Sequence, residues 1–137
     1  MSDTSWKPTS YPSLSPYLVT SGAQQVIDFA KAAFGAVELR RFDTPDGKVM
    51  HAEIKIDDSV VMLSDGSEEF PPHKALLHLY VPNVDEVYQR ALKAGRQGRA
   101  GAEDASWRSR QARQRARPVR KQLVDFYPTS PVTLVVA

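Results

Sequence analysis

The stretch that decides the fold is Val49–Ser64, VMHAEIKIDDSVVMLS. Its alternation of apolar and polar residues predicts two β-strands joined at Asp57-Asp58. The first strand carries His51 and Glu53 on the same face, because side chains two residues apart point to the same side of a sheet. Such a face lies against water or against a ligand cavity, and the choice depends on what the other strands contribute.

The composition limits the kind of protein that the chain can form. With 137 residues and 42% hydrophobic content, it suffices for one well-packed domain or two small modules. Its apolar runs are short and its first ten residues do not resemble a signal peptide, so we expect a cytoplasmic protein without a membrane partner. The absence of cysteine leaves His51, His73, His78 and the carboxylates as the strong candidates for metal ligands.

A first module is predicted at residues 15–66, after an exposed N-terminal arm at residues 1–14 that is rich in Ser, Thr and Pro. The module opens with a short strand at Ser15–Thr20. A helix is expected to begin at Ser21, because Ser21 and Gln24 have the spacing of a capping box.

The rest of this module follows from its turn residues. Gly35 is expected to end the helix, since glycine accepts the left-handed conformation. A strand at Val37–Phe42 and a turn at Thr44-Pro45-Asp46-Gly47 then lead into the stretch at residues 49–64. The predicted order is β, α, β, β, β.

The pattern begins again after a linker at residues 67–74. Ala75–Val81 is a predicted strand, and Asn83 with Glu86 forms a second capping signature before a helix that Gly95 ends. The two βα units align at a constant offset of 61 residues, as the pair Leu18 and Leu79 or the pair Val26 and Val87 shows. This internal repeat predicts two similar modules that pack together.

The second module is expected to be incomplete. Residues 75–95 provide its first strand and helix, whereas residues 96–137 form an atypical tail that is first Arg-rich and then apolar. Because this tail shows no sustained apolar period of 2 or 3.6, the three strands that would complete the module are expected to be missing.

These patterns resemble those of the glyoxalase/bleomycin resistance/dioxygenase superfamily, and within it the PhnB-like branch. The resemblance is carried by SLSPYLVTSGAQQVIDFAKAAFGAVEL, by TPDGKVMHAEIKIDDSVVMLSD and by LHLYVPNVDEVYQRALKAG, and it covers residues 11–95. It implies an α+β protein with the vicinal oxygen chelate fold, in which paired βαβββ modules have curved sheets that enclose a small-molecule cavity, usually within a homodimer.

The tail departs from this resemblance. The superfamily normally closes its second module with a D-P-F/D-G-N/H-x-W-like segment, which the chain lacks. A back-translation of Pro118–Val124, PVRKQLV, gives P-F-G-N-S-W when it is read one nucleotide later, so we interpret the C-terminal part as frameshifted. A GC-rich gene that is read out of frame also yields Arg, which accounts for the nine Lys and Arg against two Asp and Glu in residues 96–121.

The Arg-rich run has a second interpretation. Clustered arginines beside Trp107 could neutralise the phosphates of a nucleic acid. Because the frameshift explains the run without such a function, we expect no specific nucleic-acid partner.

The resemblance also bears on metals. In metal-dependent members, ligands lie early in the first strand and late in the last strand of each module. Ser15, Met62 and Leu76 occupy three of these places, and none is a usual metal ligand. The resemblance therefore implies the metal-free, ligand-sequestering members, with no cofactor.

Six residues are expected to share one cavity if each strand turns its assigned face inward. They are Tyr17, His51, Glu53, Met62, His78 and Tyr80. Aromatic lining with few polar groups is typical of small-molecule sites. His51 and Glu53 could orient one another, and a histidine can act as a general base near neutral pH, or the two could form a purely structural pair. His78 could instead be a core histidine, and His73 is expected to be solvated.

We therefore predict a protein that binds a small organic molecule without a metal. The alternative is a lyase, isomerase or dioxygenase that uses a divalent metal held by His51, Glu53 and His78. The sequence leaves open whether the protein is an enzyme.

Overall fold

The computed structural model describes residues 6–94, 98–99, 122–125 and 132–136. The chain divides into two compact units, Met1–His73 and Lys74–Ala137. The first unit contains β1 (Tyr17–Thr20), α1 (Ala23–Phe34), β2 (Val37–Asp43), β3 (Val49–Ile56) and β4 (Ser59–Asp65). The second contains β5 (Ala75–Leu79), α2 (Val84–Lys93), β6 (Gly98–Arg99), β7 (Gln122–Asp125) and β8 (Val132–Val136). No helix within the described ranges is long and apolar enough to cross a membrane.

The first unit has the predicted βαβββ order in a sheet of four strands. The strands lie in the order β1-β4-β3-β2, with β1 parallel to β4 and the other pairs antiparallel. Met62 on β4 lies opposite Tyr17 on one side and opposite Glu53 on the other, so these three side chains share one face. The neighbouring positions Leu18 and Leu63 are buried on the other face, together with the apolar stripe of α1. The core of the unit therefore lies between α1 and the sheet. Tyr17, Met62 and Glu53 are on the face of the sheet that points away from α1.

The start of α1 differs from the prediction. The helix begins at Ala23 rather than at Ser21, its N-cap is Gly22 with a φ of 98°, and no N-cap side chain forms a bond to it. One carboxylate oxygen of Asp65, at the end of β4, accepts from the N–H groups of Gly22 at 3.0 Å and Ala23 at 2.9 Å. An acidic group suits this place because the first N–H groups of a helix lack partners and the helix dipole favours negative charge there. The predicted capping box is therefore wrong, and Asp65, at the end of the last strand of the module, caps the helix instead.

Asp65 also holds the start of β3. Its second carboxylate oxygen accepts from the N–H of Val49 at 2.8 Å. Burial raises the pKa of Asp65, but the bonds from the N–H groups of Ala23, Val49 and Gly22 and the charge of Lys48 outweigh this effect and lower the pKa. Because the pKa is lower in the folded state, the ionised carboxylate stabilises the fold above the pKa of the unfolded chain. That stabilisation is lost as the pH falls through the folded pKa.

The predicted turns of the first unit are confirmed. Gly35 ends α1 with a φ of 67°, and its N–H donates to the carbonyl oxygen of Lys31 at 3.1 Å. Gly47 has a φ of 86° in the turn between β2 and β3, and its N–H donates to the carbonyl oxygen of Thr44 at 3.0 Å. Both glycines adopt a conformation that other residues rarely take.

The second unit repeats the same order of elements. Its strands lie in the order β5-β8-β7-β6, with β5 parallel to β8, as β1 is to β4. The predicted cap is confirmed, since the side-chain oxygen of Asn83 accepts from the N–H of Glu86 at 3.1 Å. The predicted helix end at Gly95 lies outside the described residues, as does Trp107 with most of the Arg-rich run.

The expectation that no strand follows α2 is corrected. Three short strands, β6, β7 and β8, are described after this helix, and they pair with β5 in one sheet. The sequence pattern does not predict them because β6 has only two residues, and because β7 and β8 follow the Arg-rich run in a tail without a sustained apolar period. The second module is therefore less incomplete than the sequence indicates.

Replacing Asp65 by asparagine should destabilise the first unit. The amide keeps one accepting oxygen but places an NH2 group against an N–H donor. At least one hydrogen bond from the backbone to the charged carboxylate is therefore lost. We expect the free energy of unfolding at pH 7 to fall by about 1–3 kcal/mol, measured by urea denaturation, and the loss to shrink in acid, where wild-type Asp65 becomes protonated. Asp58→Asn, the same change at an exposed turn, is the control. Equal stability of the Asp65→Asn and Asp58→Asn proteins would contradict this role.

Candidate functional site

Four side chains form a continuous chain of hydrogen bonds in the first unit. The Tyr17 hydroxyl lies 3.2 Å from Nδ1 of His51, and Nε2 of His51 lies 3.0 Å from Oε1 of Glu53. The Tyr11 hydroxyl donates to Oε2 of the same carboxylate. His51 and Glu53 therefore do bond one another, as their spacing on one strand predicts. We refer to Tyr11, Glu53, His51 and Tyr17 as the relay.

The sheet positions the relay by its register. Tyr17 is on β1, at one edge, and His51 and Glu53 are on β3 two places away. Phe42, opposite His51 on β2, places its ring centroid 6.3 Å from the imidazole, and the Tyr17 ring centroid is 5.6 Å away on the other side. The imidazole is thus held between two aromatic rings as well as between two hydrogen bonds.

Glu53 is the most unusual member of the relay, because it is a carboxylate that is only 5% exposed. Burial raises its pKa, but the hydrogen bonds from Tyr11 and His51 and the positive charges of His51 and Arg40 outweigh burial and lower it. The hydrogen bond to Glu53 in turn raises the pKa of Tyr11. At neutral pH the relay therefore contains an ionised Glu53 and a protonated Tyr11.

The ionised carboxylate fixes the direction of its bond to His51. A carboxylate accepts hydrogen bonds and cannot donate, so Nε2 of His51 must carry a proton. The other nitrogen, Nδ1, shares the second hydrogen bond of the ring with the Tyr17 hydroxyl, which can donate or accept a hydrogen bond.

A cavity of about 710 Å³ lies at the end of the sheet where β3 begins and β4 ends. This volume is in the range of small-molecule sites. Tyr17 belongs both to the relay and to the cavity wall, whereas His51, Glu53 and Met62 are not in the wall. The cavity is lined by Tyr17, Val19, Thr44, Asp46, Lys48, Val49, Met50, Ser64, Asp65, Gly66, Ser67 and Phe70.

The six predicted site residues fall into two groups. Tyr17, His51, Glu53 and Met62 lie on neighbouring strands of the first sheet. His78 and Tyr80 belong to the second unit, where their ring centroids are 4.6 Å apart. That all six share one cavity stays a prediction. His78 is exposed, so the alternative of a core histidine is wrong.

Sequence reasoning missed Tyr11 and the hydrogen bonds of His73. Tyr11 lies in the Ser- and Pro-rich arm, where no periodicity indicates a partner 42 residues away. His73 was expected to be solvated. It is exposed, but its Nε2 accepts from the N–H of Val19 at 3.4 Å, and its own N–H donates to the Val19 carbonyl oxygen at 3.2 Å. The sequence before His73, Pro71-Pro72, does not indicate this contact. The two bonds join the segment after β4 to Val19 of β1.

The relay does not suit a metal ion as it is arranged. Among the residues that the structure describes, no group of three or more His, Cys, Asp or Glu could hold one. Both ring nitrogens of His51 and both carboxylate oxygens of Glu53 are already engaged. The predicted alternative set would also require His78 from the second unit.

Removing the Tyr11 hydroxyl should raise the pKa of Glu53. In Tyr11→Phe the carboxylate keeps its burial but loses one of the two hydrogen bonds that lower its pKa. Because a lowered pKa stabilises the fold above the unfolded value, the acid-induced loss of that stability should move to higher pH. NMR titration of the 13C-labelled carboxyl group measures the shift, and Tyr88→Phe in the second unit is the control. An unchanged titration of Glu53 would show that the Tyr11 bond is unimportant.

The sequence of the chain is similar to those of mycobacterial proteins. It is 40% identical over 110 residues to Mb0911c, an uncharacterized protein of Mycobacterium bovis, and the match covers 72% of each chain. Rv0887c of Mycobacterium tuberculosis is also 40% identical over 110 residues, but the chain spans 65% of its length, just under two thirds. No protein-family profile matches the chain.

Solved structures with similar folds cover most of the chain. A gene product of Arabidopsis thaliana, AT5G48480, superposes with a TM-score of 0.61 at 17% identity over 93% of this chain and 98% of that one. TnmS3, an antibiotic binding protein from a Streptomyces species, has a TM-score of 0.60 at 15% identity over 92% and 97%.

A third similar structure contains a metal. It is a mutant of the fosfomycin resistance protein FosX from Listeria monocytogenes, complexed with Mn(II) and 1S,2S-dihydroxypropylphosphonic acid, with a TM-score of 0.59 at 14% identity over 90% and 89%. Its likeness to this chain is one of fold. The chain belongs to the family of the mycobacterial protein Mb0911c, and it has the glyoxalase-like vicinal oxygen chelate fold.

Proposed function

We propose that the protein binds a small organic molecule, without a metal, in the cavity beside Tyr17. The observation that carries this proposal is that Tyr17 connects a hydrogen-bonded relay to the wall of a cavity of suitable size. A buried, ionised carboxylate destabilises a fold unless it is hydrogen-bonded. Here the hydrogen bonds of Glu53 lead through His51 to Tyr17, a residue that a ligand in the cavity would contact.

The lining of the cavity supports an organic ligand. Tyr17, Val19, Met50 and Phe70 provide apolar and aromatic surface, and a few polar groups could fix the orientation of a ligand. TnmS3, which shares the fold, is an antibiotic binding protein. We propose that Tyr17, His51, Glu53 and Met62 act directly or through one another in binding, together with His78 and Tyr80 of the second unit.

The alternative function is a metal-dependent lyase, isomerase or dioxygenase. The FosX complex with Mn(II) favours it, since that protein shares the fold. It would require His51 and Glu53 to exchange their present hydrogen bonds for bonds to the metal, with His78 as a third ligand. We regard the metal-free function as better supported, because Ser15, Met62 and Leu76 are not usual ligands.

We also propose the finer assignments that the sequence suggests. These are the PhnB-like branch, a cytoplasmic location, and a homodimer that uses the exposed outer strand β2, where Val37 and Phe42 are more than half exposed. Light scattering should give the mass of two chains, and a monodisperse monomer would exclude the dimer.

The frameshift remains our explanation of the Arg-rich tail. The displaced P-F-G-N-S-W signature supports it, and so does the unusual charge of residues 96–121. The domain bounds at residues 1–14, 15–66, 67–74, 75–95 and 96–137 are part of the same proposal. Sequencing the encoding DNA tests the frameshift, because a single reading frame without the displaced signature would rule the frameshift out.

The cavity should bind a neutral apolar dye such as Nile red with saturation at one site per chain. Phe70→Ala removes an aromatic ring from the wall and should weaken binding at least about fivefold, by loss of buried apolar contact. Leu14→Ala, which removes an exposed apolar side chain elsewhere, should leave binding unchanged. Fluorescence titration measures both, and equal effects of the two substitutions would contradict binding in the cavity.

Elemental analysis of the same preparation tests the metal-free part of the proposal. We expect far less than one transition-metal ion per chain. A stoichiometric metal that disappears in His51→Ala would overturn the proposal and favour the enzyme.

A further inference from the structure

We propose that residues 66–73, which we call the wall loop, are ordered in advance as one side of the cavity, and that Gly66 and Ser67 are positioning residues that hold the ring of Phe70 in the wall. This inference rests on the proposed function of the same cavity and adds the residues that prepare it for a ligand. Three features support it: the attachment of the loop to β1, the hydrogen bonds at its tip and the packing at its base.

Both ends of the wall loop are attached to β1. The N–H of Gly66 donates to the carbonyl oxygen of Thr20 at 2.9 Å. At the other end, the N–H of His73 donates to the carbonyl oxygen of Val19 at 3.2 Å, and the N–H of Val19 donates to Nε2 of His73 at 3.4 Å. Val19 and Thr20 are consecutive buried residues, so the two ends of the loop are fixed close together on one strand. Compact loops with close ends are frequently functional.

The tip of the wall loop is closed by two hydrogen bonds between the same pair of residues. The N–H of Ser67 donates to the carbonyl oxygen of Phe70 at 2.9 Å, and the N–H of Phe70 donates to the hydroxyl oxygen of Ser67 at 3.0 Å. Serine side chains favour turns because they can bond to the nearby backbone in this way. The backbone of Phe70 is therefore held in place by Ser67.

Gly66 packs directly against Pro72 at the base of the wall loop. A Cβ at position 66 would lie closer to Cδ and Cγ of Pro72 than real Cβ atoms come to other atoms. Glycine allows this close approach because it has no side chain. The φ of Pro72 is fixed by its ring, so the returning part of the loop also has little freedom.

The ring of Phe70 gives the wall loop its effect on binding. Phe70 lines the cavity together with Gly66 and Ser67, and it is 62% exposed. A ligand that covers this ring removes apolar surface from water, which favours binding. A ring on an ordered loop loses less conformational freedom in that step than a ring on a mobile loop. The affinity should therefore depend on the bonds that order the loop.

Ser67→Ala tests the tip of the loop in the full chain. The variant removes the oxygen that accepts from the N–H of Phe70 and leaves the aromatic ring in place. We expect the Kd for Nile red, measured by fluorescence titration, to rise at least about threefold, because binding must then order the loop. Ser59→Ala is the matched control. It removes an exposed hydroxyl that donates to Asp58 at 3.0 Å, and it should leave the Kd unchanged.

A double-mutant cycle shows whether Ser67 acts through Phe70. Adding Ser67→Ala to Phe70→Ala should not weaken binding further, because the ring that Ser67 positions is already absent. Additive effects would overturn the inference, since Ser67 would then act on the ligand independently of Phe70. An unchanged Kd in Ser67→Ala beside a raised Kd in Phe70→Ala would also overturn it, while the proposed function stands. If Phe70→Ala binds as tightly as the wild type, the proposed function itself fails.

Gly66→Ala tests the base of the loop. Pro72 must move to make room for the added methyl group, so we expect the Kd for Nile red to rise at least about tenfold through displacement of Phe70. Adding Pro72→Ala removes the ring atoms that clash and should restore part of the affinity. A wild-type Kd in Gly66→Ala would overturn the role of Gly66. If Gly66→Ala does not fold, the cycle of Ser67 and Phe70 still decides the inference.

Discussion

A carboxylate that is almost completely buried constrains the whole polar face of the first sheet. Glu53 is tolerated there because Tyr11 and His51 both give it hydrogen bonds, and leaving such a charge unpaired would cost several kcal/mol. Because an ionised carboxylate can only accept hydrogen bonds, Nε2 of His51 must carry a proton. The same imidazole bonds to Tyr17, so a chain of hydrogen bonds joins the buried carboxylate to a residue of the cavity wall.

A second carboxylate, Asp65, holds backbone groups in place. It accepts hydrogen bonds from the N–H groups of Gly22, Ala23 and Val49, and so joins the start of α1, the start of β3 and the end of β4 at one point. The same residue lies in the cavity wall. A carboxylate that holds three backbone N–H groups in place is therefore also part of the cavity wall, so a change at Asp65 would affect both the fold and the shape of the cavity.

Much of this architecture could be predicted from periodicity and turn residues. The alternation around His51 and Glu53 placed both on one face, and Gly35 and Gly47 were identified because their positions require a positive φ. The parts that failed depend on contacts between residues far apart in the sequence. Ser21 is a good local cap, but the helix is capped by Asp65, 42 residues beyond Ala23, and Tyr11 bonds to Glu53 over the same separation. The strands after α2 lie in residues 96–137, where the Arg-rich run leaves no sustained apolar period.

The 15N NMR spectrum of the His51 imidazole at pH 8 tests the account most directly, with His51→Ala used to assign the signals. The account predicts a proton on Nε2, the nitrogen that faces Glu53. An unprotonated Nε2 would contradict it, because Glu53 would then not accept a hydrogen bond from the imidazole.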